Sequence, residues 1–276
     1  MTPWTRRTAA PLLGVLATVA ALAADGPQPF YLSSKRIVRV AGTIDDKARV
    51  YMGLGVPRAV VLSPVLGAPV YVVSGDKKVM VLDPARVQPS SDDPDAVLVD
   101  AEGATGGVPL TVDGLDLRFA VAGKPVVLEA RPQVLTGELT TEELLAAIPE
   151  YRRNAKTYVP GKGDLRLLAT IAEPAKIDVF FGTWCPHCEQ NVPRMIKVAR
   201  ELNSPALTFR YHGLSERFAD DPVARQYQIT GVPVALVTRG DKVLARIEGP
   251  SWARPEAALS AVLVGEAALA PAGGGS

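Results

Sequence analysis

The only two cysteines of this chain, Cys185 and Cys188, most constrain what it can fold into. They stand three positions apart in the stretch FFGTWCPHCEQNVPRM, residues 180–195. A chain of 276 residues with one cysteine pair can close a single disulfide at most, so packed cores must stabilise it. Its composition, 47% hydrophobic and 21% charged, is globular, and a net charge of +1 gives no sign of nucleic-acid binding.

The N-terminus has the pattern of a secretory signal that covers residues 1–24. Two arginines precede an uncharged apolar run, residues 9–24, in which Ala21, Leu22 and Ala23 offer small residues for cleavage. The run is short for a membrane span, which needs about 20 residues, and an uncleaved anchor is the alternative. Export predicts a location outside the cytoplasm, in a bacterial periplasm, where a disulfide can persist.

Residues 26–135 have the pattern of a β-rich domain. Short apolar, β-branched runs alternate with turns such as Asp113-Gly114, and this spacing predicts a sandwich or a barrel. The runs predicted as strands are 37–44, 48–54, 59–63, 69–75, 78–83, 96–100, 115–121 and 125–130. The intervening polar or Gly-rich segments predicted as loops are 88–95 and 102–108.

The pattern changes after residue 135. Residues 136–160 are predicted as a connecting helix and linker, because Thr140 can cap a helix and Glu143 completes a capping box. Strand and helix then alternate, which predicts a βαβ unit followed by a β-hairpin. The strands are predicted at 176–182, 206–212, 232–238 and 242–248, the helices at 186–203, 221–228 and 254–265, and a flexible tail at 269–276.

The cysteine pair has three interpretations: half of a metal site, two inert buried thiols, or a redox dithiol. A structural zinc site needs four Cys or His ligands, whereas the chain has two cysteines and two histidines. His187 lies between the cysteines, where reaching the same metal would be strained, so no metal site is predicted. Inert thiols are disfavoured because a loop precedes the pair and Pro186 and His187 separate its members.

The redox interpretation fits the local pattern of a buried strand, a short loop and a helix. Cys185 is predicted at the helix N-terminus, where unpaired N–H groups and the helix dipole favour a thiolate. Cys188 lies one turn further along the same face and is better shielded. The pattern therefore predicts that Cys185 exchanges with a substrate and that Cys188 resolves the mixed disulfide.

Several residues around the dithiol resemble the thioredoxin superfamily over roughly residues 165–266. Trp184 precedes the dithiol, as the family's tryptophan does, and Pro193 matches the proline inside the family's first active-site helix. The segment YQITGVP ends at Pro233 and matches the approach to the family's cis-proline. Gly249 matches a glycine before the last helix.

The sequence Cys-Pro-His-Cys, with Val232 before the expected cis-proline, is similar to periplasmic disulfide oxidases of the Dsb type. The resemblance implies an α/β thioredoxin-like C-terminal domain over residues 161–268, preceded by the β-rich sandwich or barrel. The site residues that it implies are Cys185, Pro186, His187 and Cys188 for catalysis, and Trp184, Val232 and Pro233 for substrate binding.

The resemblance implies an exported thiol–disulfide oxidoreductase that acts on protein thiols or disulfides without a cofactor. The oxidase direction is favoured, an unidentified membrane protein would be its redox partner, and nucleic acid is not a partner. One alternative is a periplasmic reductase that runs the same chemistry backwards. The other is a binding or assembly protein whose β domain holds a partner and whose dithiol is a redox latch.

Two polar residues near the dithiol are expected to have no catalytic role. By strand alternation Val179 faces the cysteines and Asp178 faces the opposite side, so no buried carboxylate is predicted beside the sulfurs. His212 ends a predicted strand and is expected to be structural.

Overall fold

The computed structural model describes residues 26–102, 104–130 and 134–269. The predicted signal segment, residues 1–24, and the predicted tail beyond residue 269 lie outside these ranges. Among the helices of the described ranges, none is both long enough and apolar enough to cross a membrane.

The described residues form eighteen strands and six α-helices. The strands are β1 (Gln28–Leu32), β2 (Arg36–Val40), β3 (Thr43–Ile44), β4 (Arg49–Gly53), β5 (Arg58–Leu62), β6 (Val70–Val73), β7 (Lys78–Val81), β8 (Val87–Pro89), β9 (Ala96–Val99), β10 (Thr105–Pro109), β11 (Thr111–Asp113), β12 (Asp116–Val121), β13 (Lys124–Ala130), β14 (Gly137–Leu139), β15 (Ala175–Phe181), β16 (Leu207–Gly213), β17 (Val234–Arg239) and β18 (Lys242–Ile247). The helices are α1 (Thr141–Ala147), α2 (Pro149–Thr157), α3 (Lys162–Ala169), α4 (Pro186–Leu202), α5 (Pro222–Gln226) and α6 (Pro255–Leu269).

The strands form three sheets. Sheet I has eight strands in the order β10-β7-β6-β5-β4-β1-β9-β8, and sheet II has five in the order β11-β12-β13-β2-β3. Sheet III has five strands in the order β14-β16-β15-β17-β18. All pairings of sheets I and II are antiparallel.

The central strands β5 and β6 of sheet I are buried on both faces, which explains their nearly continuous apolar sequences. Val61 belongs to the core that sheet I shares with sheet II, where it is joined by Phe119 and Leu128. Its neighbour Val60 points to the other face and belongs to a second core with Phe30. Alternate residues of one strand therefore supply two different cores.

Sheet III separates two further cores. Ile177, Val179 and Phe181 of β15 face the helices and pack in the core that contains both cysteines. Phe180 points to the opposite face and packs with Leu236. This alternation places Val179 on the cysteine side of the sheet and Asp178 on the other side, as the sequence predicted.

The predicted fold class is wrong. β structure dominates the described residues, which form three sheets and are only 29% helix. An α/β domain needs a mostly parallel sheet, whereas in sheet III only β15 and β16 pair in parallel. Strand β14, within the segment predicted as helix and linker, adds an antiparallel edge to this sheet.

Most predicted strands occur close to their expected positions, but the short ones were missed. Strands β1, β8, β10, β11 and β14 were not predicted, and β10 occupies a segment expected to be a loop. The run 37–44 is divided into β2 and β3 by a turn at Ala41-Gly42 with positive φ values. The capping box of α1 is confirmed, because Thr140 accepts from the Glu143 N–H and the Glu143 carboxylate accepts from the Thr140 N–H.

Helix α2 joins sheet I to the cysteine-containing part of the protein. The Glu150 carboxylate accepts hydrogen bonds from the hydroxyls of Ser33 and Ser34 at 2.9 and 3.0 Å. Arg152 donates to Asp95 at 2.8 Å, and the Lys156 ammonium lies 3.2 Å from Asp93. The Arg153 guanidinium lies over the Tyr31 ring. These contacts are polar, in contrast to the apolar cores on either side.

The domain boundary at residue 135 remains a prediction. The two cores of sheets I and II contain only residues between Phe30 and Leu128. We therefore expect a fragment of residues 26–135 to unfold cooperatively, with a free energy of unfolding of about 5 kcal/mol or more. Urea denaturation followed by circular dichroism measures this. A broad transition without a folded baseline would mean that these sheets need α2 and its neighbours.

Candidate active site

The dithiol lies where strand β15 gives way to helix α4. Cys185 is the N-cap of α4, and its sulfur accepts a hydrogen bond from the Cys188 N–H at 3.4 Å. Pro186 occupies the first helical position, where its missing N–H costs nothing. The sulfur of Cys185 thus lies at the positive end of a 17-residue helix, an arrangement that favours an anion.

The two sulfurs differ in exposure. Both cysteines are free thiols; Cys185 is 6% exposed and Cys188 is fully buried. Burial raises the pKa of Cys188, and the nearby Cys185 raises it further, although the Gly182 N–H donates to the Cys188 sulfur at 3.5 Å. The geometry therefore makes Cys185 the sulfur that a second molecule can reach and Cys188 the sheltered one.

A cis-proline loop lies against the reachable sulfur. The Val232–Pro233 peptide bond is cis, as the sequence predicted. The thiol of Cys185 donates to the Val232 carbonyl at 3.5 Å. Val232 therefore places a backbone acceptor beside the position where a sulfur–sulfur bond would form.

Trp252 holds the loop that contains Val232 and Pro233 through a hydrogen bond. Its side chain is 1% exposed and packs in the cysteine-containing core. The indole N–H donates to the Pro233 carbonyl at 3.0 Å. Sequence reasoning gave Trp252 no role, and a lone tryptophan nineteen positions after Pro233 carries no signal for this contact.

Trp184 forms one wall next to the dithiol. Its indole N–H donates to the Leu214 carbonyl at 2.9 Å, and its ring stacks on Phe218 with 6.4 Å between centroids. The ring also covers Gly182 so closely that a Cβ at this position would overlap it. Trp184 is therefore held in place from the side opposite the cysteines.

Pro186 and His187 are exposed in the first turn of α4. His187 lines a pocket of about 430 Å³ together with Asn191, Pro233 and Trp252. Of the other residues that the sequence singled out, Pro193 is buried inside α4, and Gly249 has a φ of +54° in the turn before α6.

The buried carboxylate nearest in sequence to the dithiol, Asp178, binds Arg210 and His212. The Asp178 carboxylate accepts from Arg210 at 2.7 Å and lies 2.8 Å from the His212 ring nitrogen. Burial alone would raise the pKa of Asp178, but the hydrogen bonds from His212 and Arg210 outweigh it and hold the pKa below its usual value. Asp178 and His212 thus form a structural network on the face away from the cysteines.

A second pocket, of about 380 Å³, opens beside Cys185 on the side of sheet I. We call it the junction pocket. Its lining combines Cys185 and Trp184 with residues 33–35 of the β1–β2 turn, with Arg36 at the start of β2, and with Glu150 and Tyr151 of α2. Sequence reasoning missed residues 33–36, because a polar Ser-Ser-Lys-Arg turn 150 positions from the cysteines has no local signal for a site.

Among the residues that the structure describes, no group of three or more His, Cys, Asp or Glu side chains could hold a metal ion. His212 faces Asp178, on the opposite side of sheet III from the cysteines.

No family model matches the chain, and no curated protein matches it. Solved structures match parts of it. An HIV epitope-scaffold is 17% identical, with a TM-score of 0.34, over 46% of this chain and 87% of that chain. Mitochondrial thioredoxin 3 from Saccharomyces cerevisiae, in its oxidized form, is 16% identical, with a TM-score of 0.26, over 40% of this chain and 96% of that one.

A protein of unknown function from Pseudomonas aeruginosa is 20% identical, with a TM-score of 0.29, over 46% of this chain and 82% of that one. Part of this chain is thus weakly similar to a thioredoxin. At such identities and TM-scores these likenesses establish no activity for the chain.

Proposed function

We propose that this protein is a thiol–disulfide oxidoreductase that exchanges disulfides with protein thiols through Cys185 and Cys188. One observation carries the proposal. A reachable sulfur at a helix N-terminus is paired with a buried sulfur one turn further on, and it lies 3.5 Å from the carbonyl that precedes a cis-proline.

The reaction follows from the difference between the two sulfurs. In the oxidised protein Cys185 is bonded to Cys188. A substrate thiolate attacks the reachable Cys185 sulfur, the Cys185–Cys188 bond breaks, and its electron pair leaves with Cys188, which then takes up a proton. A second substrate thiolate attacks the substrate sulfur of the mixed disulfide and releases Cys185 as a thiolate. The substrate gains a disulfide, and the protein becomes a dithiol.

The oxidase direction is the one we favour, because Pro186-His187 places a hydrogen-bond donor in the first turn beside Cys185. We place the protein in a periplasm on the strength of its N-terminal sequence, and we infer that a membrane protein reoxidises it. A reductase would run the same steps from the dithiol toward a substrate disulfide.

The equilibrium of the Cys185–Cys188 pair with glutathione tests the direction. Insulin reduction and oxidative refolding of a reduced protein test the activity itself. Oxidative refolding with a potential above that of glutathione supports an oxidase, and insulin reduction with a low potential supports a reductase. Inactivity in both assays would contradict the proposal and favour the alternative in which the dithiol is a redox latch of a binding protein.

His187 provides a prediction about the potential. We expect His187→Ala to shift the couple toward more reducing values by up to about 30 mV, the equivalent of ~1.4 kcal/mol, because the reduced form loses a donor near Cys185. The measurement is the glutathione equilibrium of both proteins. Gln190→Ala is the control, since Gln190 is an exposed residue of the same helix. An unchanged potential would make His187 a bystander.

A further inference from the structure

The junction pocket brings the N-terminal sheets to the dithiol. The β1–β2 turn lines this pocket together with Cys185, and two contacts hold the turn there. Glu150 binds the Ser33 and Ser34 hydroxyls and also accepts from the Ser34 N–H at 3.2 Å. Lys35 crosses to helix α4 and pairs with Glu189 at 2.8 Å. A substrate that approaches Cys185 through this pocket therefore touches sheet residues as well as the active-site helix.

The two carboxylates that line this pocket are already engaged. Both oxygens of the Glu150 carboxylate accept hydrogen bonds from the β1–β2 turn, and Glu189 is paired with Lys35. Their negative charges are thus met by donors of the protein itself. Two donors that line the pocket, Tyr151 and Arg36, have no carboxylate partner among the described residues.

Tyr151 is the first of these donors. Its side chain is 2% exposed, it lines the junction pocket, and its hydroxyl has no hydrogen-bond partner among the described residues. Burial raises the pKa of Tyr151, so the hydroxyl keeps its proton and remains a donor. Buried hydroxyls are seldom left unpaired, so this donor is available to a group that enters the pocket.

Arg36 is the second donor. It is half-buried, and its Nη1 atom donates to the backbone carbonyls of Leu115 and Leu128. No carboxylate of the described residues forms an ion pair with it. Burial lowers the pKa of Arg36, and the charge of Asp116 partly offsets this effect. The Asp116 carboxylate itself accepts a hydrogen bond from the Ala130 N–H and lies 3.7 Å from Arg118. A half-buried cation without a carboxylate partner favours an anionic ligand.

We propose that the junction pocket binds a carboxylate of the substrate, and that Arg36 and Tyr151 are its donors. The occupant is an acidic side chain beside the reacting cysteine of a protein substrate. Arg36 supplies the charge and Tyr151 a buried hydroxyl, and both line the pocket together with Trp184 and Cys185. This inference rests on the proposed thiol exchange and gives the sheet region a role in selecting substrates.

The test follows the reduction of the oxidised full-length protein by peptides that carry one cysteine. Three peptides differ only at the residue after the cysteine, which is Asp, Asn or Lys. Each rate is divided by the rate of the same peptide with glutathione disulfide, which removes differences in intrinsic thiol reactivity. We expect the Asp peptide to react about tenfold faster than the Asn peptide, and the Lys peptide to be slowest.

Two variants of the same strand make the test specific. Arg36→Gln should abolish the preference for the Asp peptide. Arg39→Gln should keep it, because Arg39 also lies in β2 but pairs with Glu129 and does not line the pocket. Tyr151→Phe removes only the hydroxyl and should reduce the preference for the Asp peptide about threefold. This variant tests the carboxylate site if Arg36→Gln fails to fold. Tyr211→Phe is its control, because Tyr211 is also buried but lies near Thr141 and Glu142.

Small thiols distinguish a pocket for an acidic side chain of a protein substrate from a pocket for any small carboxylate. A comparison of 3-mercaptopropionate with 2-mercaptoethanol measures recognition of a free carboxylate. A preference among these small thiols without one among the peptides would overturn the assignment to protein substrates. Equal rates for the Asp and Asn peptides, or an Arg36→Gln variant that keeps the preference, would overturn the carboxylate site. If no thiol reacts with the oxidised protein faster than with glutathione disulfide, the proposed exchange itself fails.

Discussion

Replacing Cys185 by serine is expected to reduce thiol exchange to the uncatalysed rate, a loss of at least about 10³-fold, or ~4 kcal/mol in the barrier. The same substitution at Cys188 is expected to leave Cys185 able to form mixed disulfides that are no longer resolved. The reason is the unequal exposure of the two sulfurs, since Cys185 is reachable and Cys188 is fully buried. Non-reducing electrophoresis of each variant, incubated with a reduced protein substrate and diamide, detects the trapped species.

The double variant Cys185→Ser with Cys188→Ser is the control, and it should trap nothing. Release of the adducts by dithiothreitol identifies them as disulfides. Equal trapping by both single variants would contradict the assigned roles. It would also mean that helix α4 opens far enough to expose Cys188.

Trp252→Ala is expected to lower the free energy of unfolding by about 3–5 kcal/mol, because it removes a large side chain from the core that contains both cysteines. It also removes the hydrogen bond to the Pro233 carbonyl, so the cis-proline loop loses its support next to the dithiol. Urea denaturation measures the stability. The rate of insulin reduction, taken under conditions where the variant is folded, measures the effect on exchange.

Trp252→Phe separates these two effects. It keeps an aromatic ring in the core but removes the indole N–H. The lost hydrogen bond lowers the free energy of unfolding by about 1 kcal/mol, and the smaller ring lowers it further. If the loop depends on this bond, exchange should slow in Trp252→Phe although the protein stays folded. Unchanged exchange in this variant would limit Trp252 to packing.

The parts of the site that the sequence predicts are those determined over short distances. A cysteine at a strand-to-helix turn, a proline at the first helical position and a second cysteine one turn later fix their mutual geometry through local backbone structure. The capping box of Thr140 and Glu143 is predictable for the same reason. Alternation along β15 correctly separates Val179 from Asp178, because side chains of a strand point to opposite faces.

What the sequence could not predict depends on pairings between distant segments. Strand β14 has three residues, and β10 contains Gly106 and Gly107, so neither has a pattern of its own. The edge position of β14 and the mostly antiparallel sheet III follow from long-range pairing, and this is why the α/β class was wrong. Arg36 and Tyr151 line one pocket only because the β1–β2 turn docks on α2, a contact without a local signature.

The ion pairs of Lys35 with Glu189 of α4 and of Lys156 of α2 with Asp93 make the junction sensitive to salt. Lys35 and Lys156 are more than half exposed in their ion pairs, and pairs of this kind each contribute about 0–1 kcal/mol. Dissolved ions screen such pairs over about 8 Å at physiological ionic strength and over about 3 Å at 1 M. The apolar cores on either side do not depend on these pairs. Salt therefore weakens the Lys35 and Lys156 contacts and leaves the apolar cores on either side unaffected, so the junction is the salt-sensitive part of the structure.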